Sequence, residues 1–298
     1  MPVNLATLQT AEIETTAAFL RGLQSASTPI ADAIAMTIGM TTKTVEAPIA
    51  SMVGPMREWT GPRMVEQLKR GAYAITAKDF EKTISIPRTA LDDDTTGAYM
   101  AQIETLGQQA RLMRDQQICT KLEAGETDLC YDGVAFFSAS HPVEQGNATT
   151  FSNLLGSGSV PWYLLDTTKG VRPMVWGNRM DPEFANLWSP EDPNVFNLNE
   201  YISGVYARGV ADYGFPQLAL KSKAALDATN FETAQTTMMR LVNAAGENLG
   251  IKPNVILVPS ILYPAAKRLF MTPHLSTGGE NINYGAVTVI VGQRLSNT

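Results

Sequence analysis

The sequence predicts an α+β fold built around one long helix. From Asp92 to Gly125, apolar residues recur at alternating steps of four and three, which places them on one face of a helix. On either side of this segment, short runs alternate apolar with small or polar residues, as half-buried strands do. With 44% hydrophobic and 17% charged residues, the composition is that of a folded chain.

Composition also limits the classes of function. The 298 residues suggest about two domains, and the net charge of −6 argues against a surface built to grip phosphates, although it allows a local basic patch. No apolar run approaches the ~18 residues of a membrane span, and Met1–Leu23 lacks the basic start and apolar core of a signal peptide. We therefore expect a protein that folds in a cytoplasm, with Cys119 and Cys130 as reduced thiols.

The first 91 residues predict an arm and then a hairpin. Residues 1–50 are rich in Ala and Thr and show only a loose helical face, so we expect a short weak helix in a mostly extended arm. Strand-like alternation follows on both sides of Lys78-Asp79, at Tyr73, Ile75, Ala77, Phe80, Ile84 and Ile86. Two strands joined at this dipeptide would form a two-stranded ribbon, which is marginally stable in water unless it lies on its own subunit or on another.

The hairpin region is also the most basic part of this acidic chain. Its cations are Lys69, Arg70, Lys78, Lys82 and Arg88. A solvated surface is the usual explanation for such charges, and ion pairing between subunits is the functional alternative.

The long helix has a start and a stop signal. The side chains of Asp92 to Thr96 offer oxygens to the free N–H groups of a helix start, and the negative charge of the aspartates suits its positive end. The apolar face consists of Tyr99, Ile103, Leu106, Ala110 and Met113 and, after a slip, Ile118 and Leu122. Gly125 is the residue type that commonly ends a helix.

Beyond this helix the sequence predicts further strands and two helices. The aromatic run that ends at Phe137 follows the turn signal Asp132-Gly133 and predicts a buried strand. Residues 162–220 are rich in strand and turn signals. The remaining predicted elements are a helix from Asn230 to Leu249, a buried strand at 255–258, a helix from Ser260 to Phe270 and a last strand at 286–291.

Residues suited to catalysis or metal binding are scarce. Nucleophilic catalysis needs a histidine or an equivalent base, and the chain has only His141 and His274, each beside a proline. These histidines and the two cysteines lack the short ligand spacings of zinc sites, although a site assembled by the fold stays open. Motifs of nucleotide-binding proteins, hydrolases and metalloproteases are absent. Because helix capping explains Asp92–Asp94 without a cation, we predict no catalytic, cofactor-binding or metal-binding residue.

Several segments, in order, resemble the major head protein of Mu-like transposable phages. They are Arg57-Glu58-Trp59 with Gly61 and Arg63, Lys78-Asp79-Phe80-Glu81, Ile86-Pro87-Arg88, Leu129-Cys130-Tyr131-Asp132-Gly133, Phe136-Phe137, His141-Pro142, Arg172-Pro173, Asp192-Pro193-Asn194-Val195-Phe196, Glu200-Tyr201, Gly204-Val205, Ala207-Arg208-Gly209, Gly214-Phe215 and Gln217-Leu218-Ala219. The resemblance covers roughly residues 50 to 270 and rests on the shared order and spacing. The first fifty residues match poorly.

The resemblance implies the tailed-phage capsid fold of the Hong Kong 97 type. The parts expected from that fold are an N-terminal arm (1–50), an extended loop with the hairpin (51–91), a peripheral domain (92–160 and 266–298) with a spine helix at 95–123, and an axial domain (161–265). In related shells the extended loop lies across the neighbouring subunit, which would supply the surface that the hairpin lacks.

The resemblance also implies a function. The chain would be a major capsid protein whose pentamers and hexamers form an icosahedral shell around double-stranded DNA, without sequence-specific binding. Expected partners are further copies of the chain, a scaffold, a portal and head-completion or decoration proteins, with no membrane and no cofactor. Its location would be the virion capsid, after assembly in the cytoplasm of the bacterial host. An encapsulin-like nanocompartment shell and a soluble enzyme with an unrecognised site are the alternatives.

We expect residues of the hairpin region to form contacts between subunits. The predicted contact residues are Trp59, Tyr73, Ile75, Lys78, Phe80, Lys82, Ile84 and Arg88. The apolar members, Trp59, Tyr73, Ile75, Phe80 and Ile84, should be buried only in the assembly.

Overall fold

The computed structural model describes residues 5–50, 70–93, 97–143, 149–158, 160–243, 245–274 and 278–296. Its α-helices are α1 (Leu5–Ser25), α2 (Pro29–Ile34), α3 (Arg88–Asp92), α4 (Ala98–Glu123), α5 (Pro193–Leu198), α6 (Ala228–Met239) and α7 (Tyr263–Ala266). Its strands are β1 (Ala35–Gly39), β2 (Thr44–Ala50), β3 (Arg70–Thr76), β4 (Lys78–Pro87), β5 (His141–Pro142), β6 (Thr150–Phe151), β7 (Leu154–Leu155), β8 (Trp162–Leu165), β9 (Met174–Leu187), β10 (Glu200–Tyr213), β11 (Ala219–Ser222), β12 (Val255–Pro259) and β13 (Thr288–Gly292).

Two sheets form the body of the described chain. The four-stranded sheet has the order β1-β9-β10-β4, and the five-stranded sheet has the order β13-β12-β8-β11-β7. In the first sheet β10 pairs antiparallel with both β9 and β4, and β1 joins β9 in parallel. Two separate ribbons, β2-β3 and β5-β6, complete the pairing.

Helix α4 packs against both sheets. Its first half contributes Ile103 and Leu106 to a buried cluster with Tyr201 of β10. Its second half contributes Ile118 and Leu122 to a different cluster that contains residues of β9 and β10 as well as of β8 and β12. The predicted long helix is therefore confirmed, and its apolar face contributes to two buried clusters.

Glycines lie at both ends of α4. Gly97 occupies the N-cap position with a φ of 71°, a conformation that favours glycine. Asp92 instead ends the preceding helix α3, and Asp94 to Thr96 lie outside the described residues. At the other end Gly125 sits in a 3₁₀ turn, where an added Cβ would lie 2.6 Å from the ring of Phe137.

Helix α1 packs along α4 and is far longer than the weak helix that we predicted. Two glycines bring the backbones into contact, because a Cβ on Gly22 would overlap the carbonyl oxygen of Glu104, and one on Gly107 would overlap that of Phe19. The buried ring of Phe19 also stacks on Phe184 of β9, with centroids 4.5 Å apart. The expectation of a mostly extended arm was wrong for these residues, because tertiary packing stabilises a helix whose own apolar periodicity is weak.

A buried carboxylate on α4 holds α2. Asp115 accepts hydrogen bonds from the backbone N–H groups of Ala31 at 2.8 Å and Ile30 at 3.3 Å. These groups belong to the first turn of α2, where N–H groups have no partner within the helix. Burial raises the pKa of Asp115, and the two hydrogen bonds offset that effect only in part.

The hairpin predicted at Lys78-Asp79 does not form. Strand β3 pairs with β2, whereas β4 pairs over ten residues with β10. Both predicted strands exist, but the strand before Ala77 and the strand after it belong to different sheets. The prediction was wrong because alternation identifies a strand and the face that it buries, while the partner is chosen by pairing between distant segments.

Packing groups the strands of the two sheets with different helices. Strands β9 and β10 lie within 161–265, the range expected for the axial domain, yet they form the sheet that α1 and α4 cover. The five-stranded sheet instead packs against α6 and the helical turns after β12, where the rings of Phe231 and Phe270 meet at 4.7 Å. Long antiparallel pairing therefore groups β9 and β10 with the long helix.

Several shorter predicted elements also differ in detail. The run to Phe137 is a turn closed by a single bridge between Leu129 and Ala135, and not a strand. Helix α6 ends at Met239, ten residues before Leu249, with a turn following it. The strand at 255–258 is confirmed by β12 and the last strand by β13, while the helix predicted from Ser260 is a succession of 3₁₀, α and π turns.

The contact between α1 and α4 predicts that Gly107→Ala destabilises the unassembled subunit. Helix propensity alone would favour alanine by up to ~1 kcal/mol. The overlap with the Phe19 carbonyl should reverse that sign, with a net loss of about 1–3 kcal/mol measured by urea unfolding. Gly170→Ala is the matched control, because a Cβ there meets nothing within 4 Å. Equal or greater stability of Gly107→Ala would contradict the close backbone contact.

Candidate inter-subunit surfaces

The root of the β2-β3 ribbon belongs to the core of the subunit. Ile75 is 0% exposed and lies in one buried cluster with Met40 and Trp162. The prediction that Ile75 is buried only in the assembly was therefore wrong, because β3 turns this side chain onto its own subunit. Trp59 lies outside the described residues, and of Tyr73 the structure describes the position in β3 and not the side chain.

The predicted contact residues of β4 and α3 remain accessible to different degrees. Lys78 and Lys82 are exposed, while Phe80, Ile84 and Arg88 are half-buried. The structure therefore brings Phe80, Lys82 and Ile84 together on one strand, with Arg88 just beyond its end.

Phe80, Lys82 and Ile84 line an open groove between β4, β10 and α4, with a volume of about 570 Å³. The apolar part of its lining consists of Phe80, Ile84, Leu106, Ala110, Met113, Val205 and Ala207, and the polar part of Glu81, Lys82, Gln102, Thr105, Gln109, Gln116 and Gln117. Helix α4 forms one wall of the groove, and β4 and β10 form the other. The groove is thus an apolar recess with a mostly neutral, amide-rich border.

An ion pair fixes the start of β4 on β10. The Nε of Arg208 lies 2.6 Å from Oδ1 of Asp79, and the hydroxyl of Tyr206 donates to the same oxygen at 3.1 Å. These hydrogen bonds, that of Arg208 first, hold the pKa of Asp79 below its ordinary value. Asp79, which forms this ion pair, thus lies on the same strand as Lys78 and Lys82.

A buried polar cluster that sequence spacing did not reveal joins the turn after α4 to β5. Asp132 Oδ2 lies 2.7 Å from His141 Nδ1, and Asp132 Oδ1 accepts from the Cys130 thiol at 2.9 Å and from the Val134 N–H at 3.0 Å. The second ring nitrogen of His141, Nε2, lies 3.0 Å from the carbonyl oxygen of Phe136. One ligand-type atom from each of Cys130, Asp132 and His141 lies within 4.8 Å of the others, so the set has the composition of a partial metal site.

Hydrogen bonding within the cluster accounts for its geometry without a metal. The carboxylate of Asp132 contacts Nδ1 of His141 and the carbonyl oxygen of Phe136 contacts Nε2, so both ring nitrogens have a partner within the subunit. Burial alone would raise the pKa of Asp132, but the hydrogen bonds from His141, Cys130 and Val134 outweigh it and hold that pKa below its ordinary value. The cluster therefore holds a buried, hydrogen-bonded carboxylate that joins the turn after α4 to β5.

The same cluster is poorly suited to nucleophilic catalysis. Burial, followed by the hydrogen bond to Asp132, raises the pKa of the Cys130 thiol, and the thiolate is the reactive form of cysteine. His141 uses both ring nitrogens in the cluster, so neither is free to act as a base.

A second buried charge is also paired. The Lys221 ammonium lies 2.6 Å from Glu126 Oε1 and between the rings of Phe137 and Tyr163, at 5.7 and 5.6 Å from their centroids. Lys223 reaches the other oxygen of Glu126 at 2.6 Å. These contacts tie β11 to the turn after α4, so their role in the described subunit is structural.

Comparison with known proteins identifies the family. The family model described as "Mu-like prophage major head subunit gpT" matches residues 8–295. The chain belongs to this family. The match includes most of the first fifty residues, which the motifs alone had left poorly aligned.

Among its relatives is the major capsid protein of Escherichia phage Mu, which is 32% identical over 273 residues, 89% of each chain. The structure of this gpT-family chain resembles the subunit in the procapsid of bacteriophage JBD30, with a TM-score of 0.84 and 32% identity over 97% of this chain and 99% of that one. It also resembles the JBD30 capsid decorated with minor capsid protein trimers, with a TM-score of 0.73 and 24% identity over 89% and 90% of the two chains. These findings confirm the predicted tailed-phage capsid fold of the Hong Kong 97 type and the major head subunit as the class of protein.

Among the described residues of this head subunit, no helix is both long and apolar enough to cross a membrane.

The buried pair predicts that Asp132→Asn lowers the stability of the head subunit. Asp132 is 4% exposed and His141 is 0% exposed, so replacing the carboxylate weakens a buried set of hydrogen bonds to His141, Cys130 and Val134. At pH 7 we expect a loss of about 1–3 kcal/mol in the free energy of unfolding, measured by urea denaturation. Asp93→Asn, which changes an exposed aspartate, is the control and should change little.

The pH dependence of this difference has a definite sign. Because the pKa of Asp132 is lowered in the folded state, its contribution is present above the unfolded pKa of ~3.9 and is lost as the pH falls through the folded value. The difference in the free energy of unfolding between the native chain and Asp132→Asn should therefore become smaller as the pH falls. A stability difference that stays constant from pH 7 to below pH 3 would show that the ionised carboxylate of Asp132 does not cause it.

Proposed function

We propose that this head subunit assembles into pentamers and hexamers that close into an icosahedral shell around double-stranded DNA. The observation that carries the proposal is the likeness of nearly the whole chain to the subunit of the JBD30 procapsid. Each subunit in such a shell contacts several others at once, so individually weak contacts act together at high effective concentration. The proposed location is the virion capsid, after assembly in the cytoplasm of the bacterial host.

We infer an assignment of the elements to the parts of the capsid fold from the way they pack. The peripheral domain would contain α4 as the spine helix, together with α1 and the four-stranded sheet. The axial domain would contain the five-stranded sheet with α6 and α7. The β2-β3 ribbon, rather than a hairpin at residue 78, would form the base of the extended loop, whose connecting residues 51–69 include Trp59.

The groove above β4 is the contact surface that the described residues best support. Phe80 and Ile84 give it an apolar lining that one subunit leaves half-exposed, while Lys82 and Glu81 offer charges at its border. A neighbouring subunit covering this groove would bury Phe80 and Ile84, and Lys78 and Arg88 would lie at the edge of that contact. Trp59 and Tyr73 stay proposed contact residues on the ribbon side.

The acidic chain suits a container for DNA rather than a specific DNA-binding protein. With a net charge of −6, the subunit gains little from phosphate contacts, so packaged DNA would stay mobile. Proposed further partners are a scaffold, a portal and head-completion or decoration proteins; decoration is supported by the minor capsid protein trimers on the JBD30 capsid. The family and its relatives are head subunits, which favours a phage head over an encapsulin-like cargo shell and over an enzyme.

Electron microscopy of the expressed full-length chain tests the proposal directly. Closed shells with fivefold and sixfold capsomers are the expected result, and a chain that stays single at high concentration would overturn it. Shells that enclose a protein cargo instead of DNA during phage growth would favour the nanocompartment.

The groove predicts an assembly defect for Phe80→Ser. Loss of the ring removes part of the contact with a neighbour, so we expect at least a tenfold lower yield of closed particles by sucrose-gradient sedimentation. The free subunit should still fold, with a loss of at most about 2 kcal/mol because Phe80 is only half-buried. Ser85→Ala, at an exposed position of the same strand, is the control. Native particle yield from Phe80→Ser would remove the groove from the interface.

A further inference from the structure

The solvent face of α1 carries an apolar stripe at its centre. Ile13 is 70% exposed and Leu20 is 45% exposed. These positions are seven residues apart, so they share one side of the helix, and Ala17 lies between them on the same side. A surface helix normally places polar side chains at the centre of this face.

The stripe is not part of the core of its own subunit. Among residues 10–25 of α1, the buried ones are Thr15, Ala18, Phe19 and Gly22, and they lie on the opposite side, against α4 and β9. The helix thus has one apolar side that its subunit uses and another that its subunit leaves in water.

Charges beside the stripe specify what can cover it. Glu14 and Arg21 are seven residues apart, are exposed, and lie on the same flank of the stripe. The Nε of Arg21 is 3.8 Å from Glu104 on α4, but its side chain is still 62% exposed and can reach outward. The flank is acidic toward the start of α1 and basic toward its end.

This order of charges is complementary to itself when two copies run antiparallel. A twofold axis near Ala17 places Ile13 of one helix beside Leu20 of the other, and the same axis brings Glu14 opposite Arg21 on both sides. The small side chain of Ala17 at the axis allows a close approach. A parallel pair would instead place the two flanks that carry Glu14 and Arg21 on opposite sides of the stripe, where these charges cannot pair with each other.

We propose that α1 pairs antiparallel with α1 of a second copy of this chain across a local twofold axis at Ala17. The pairing rests on the proposed shell, in which such twofold contacts join neighbouring subunits. Three apolar positions and two exposed ion pairs make a weak contact by themselves. In a closed shell the other contacts of each subunit hold the two helices together, so the weak pairing is sufficient.

Cysteine crosslinking of assembled particles tests the pairing. Ala17→Cys places two thiols beside the axis, where a short bismaleimide can join them, and the expected result is conversion of most chains to a covalent dimer on a denaturing gel. The native chain is the background control, because Cys119 and Cys130 are buried. Gln24→Cys is the matched control on the same exposed face. In an antiparallel pair the two Gln24→Cys thiols are about 21 Å apart along the helix axis, which is farther than the reagent can reach. In a parallel pair the two thiols would lie close enough for the reagent to join them.

A second design does not depend on the half-buried Ala17. Ile13→Cys and Leu20→Cys chains are co-expressed, and dimers should form in mixed particles at least fivefold more than in particles of either variant alone. Native-like particles that give no dimer with either design overturn the pairing and leave the proposed shell intact. Dimers without particles support the pairing and overturn the shell, and single chains without dimers overturn both.

Discussion

The structure depends on one helix that has to pack against two sheets at once. Helix α4 packs on β9 and β10 of the four-stranded sheet, and its second half, through Leu122, also belongs to the cluster that contains residues of β8 and β12 of the five-stranded sheet. A single rigid helix of 26 residues therefore fixes the relative position of both sheets. Movement of one sheet relative to the other would have to break one of these two contacts.

Elements that precede and follow α4 are attached to it by polar contacts that tolerate little change. Asp115 holds the first turn of α2, and the hydroxyl of Tyr213 donates to the carbonyl oxygen of Lys121 at 2.7 Å. The Asp132 and His141 pair then closes the loop that leaves the helix. Each contact buries a charge or a strong donor, so each is specific in geometry and costly to leave unpaired. Apolar packing thus supplies much of the stability around α4, and these groups fix the register of the chain along it.

The sequence predicted the elements whose signals are local and missed those that depend on distant partners. The face of α4 and the buried strand β12 were readable because periodicity and apolar runs record burial directly. The partner of β3 was not, since the same alternation fits β2 or β4 equally well. Helix α1 was underestimated because its attachment uses the absence of side chains at Gly22 and Gly107, which hydrophobic patterns do not record. The polar cluster was missed for a related reason. In the sequence Asp132 has the pattern of a turn residue, and only the fold shows that His141 lies beside it.

Burial of Ile75 changes how the ribbon can act in an assembly. A ribbon held only by a neighbour would lose much conformational freedom on binding, and that entropy would oppose assembly. Here the root of β3 is packed in the core and β2 is paired to it, so the direction of the ribbon is set before any neighbour arrives. Contacts that a neighbouring subunit makes with the ribbon then require a smaller loss of conformational entropy. The same reasoning applies to α1, whose inner side is fixed on α4 while Ile13 and Leu20 stay exposed: in the proposed shell, one subunit would preorganise both elements for contact with another.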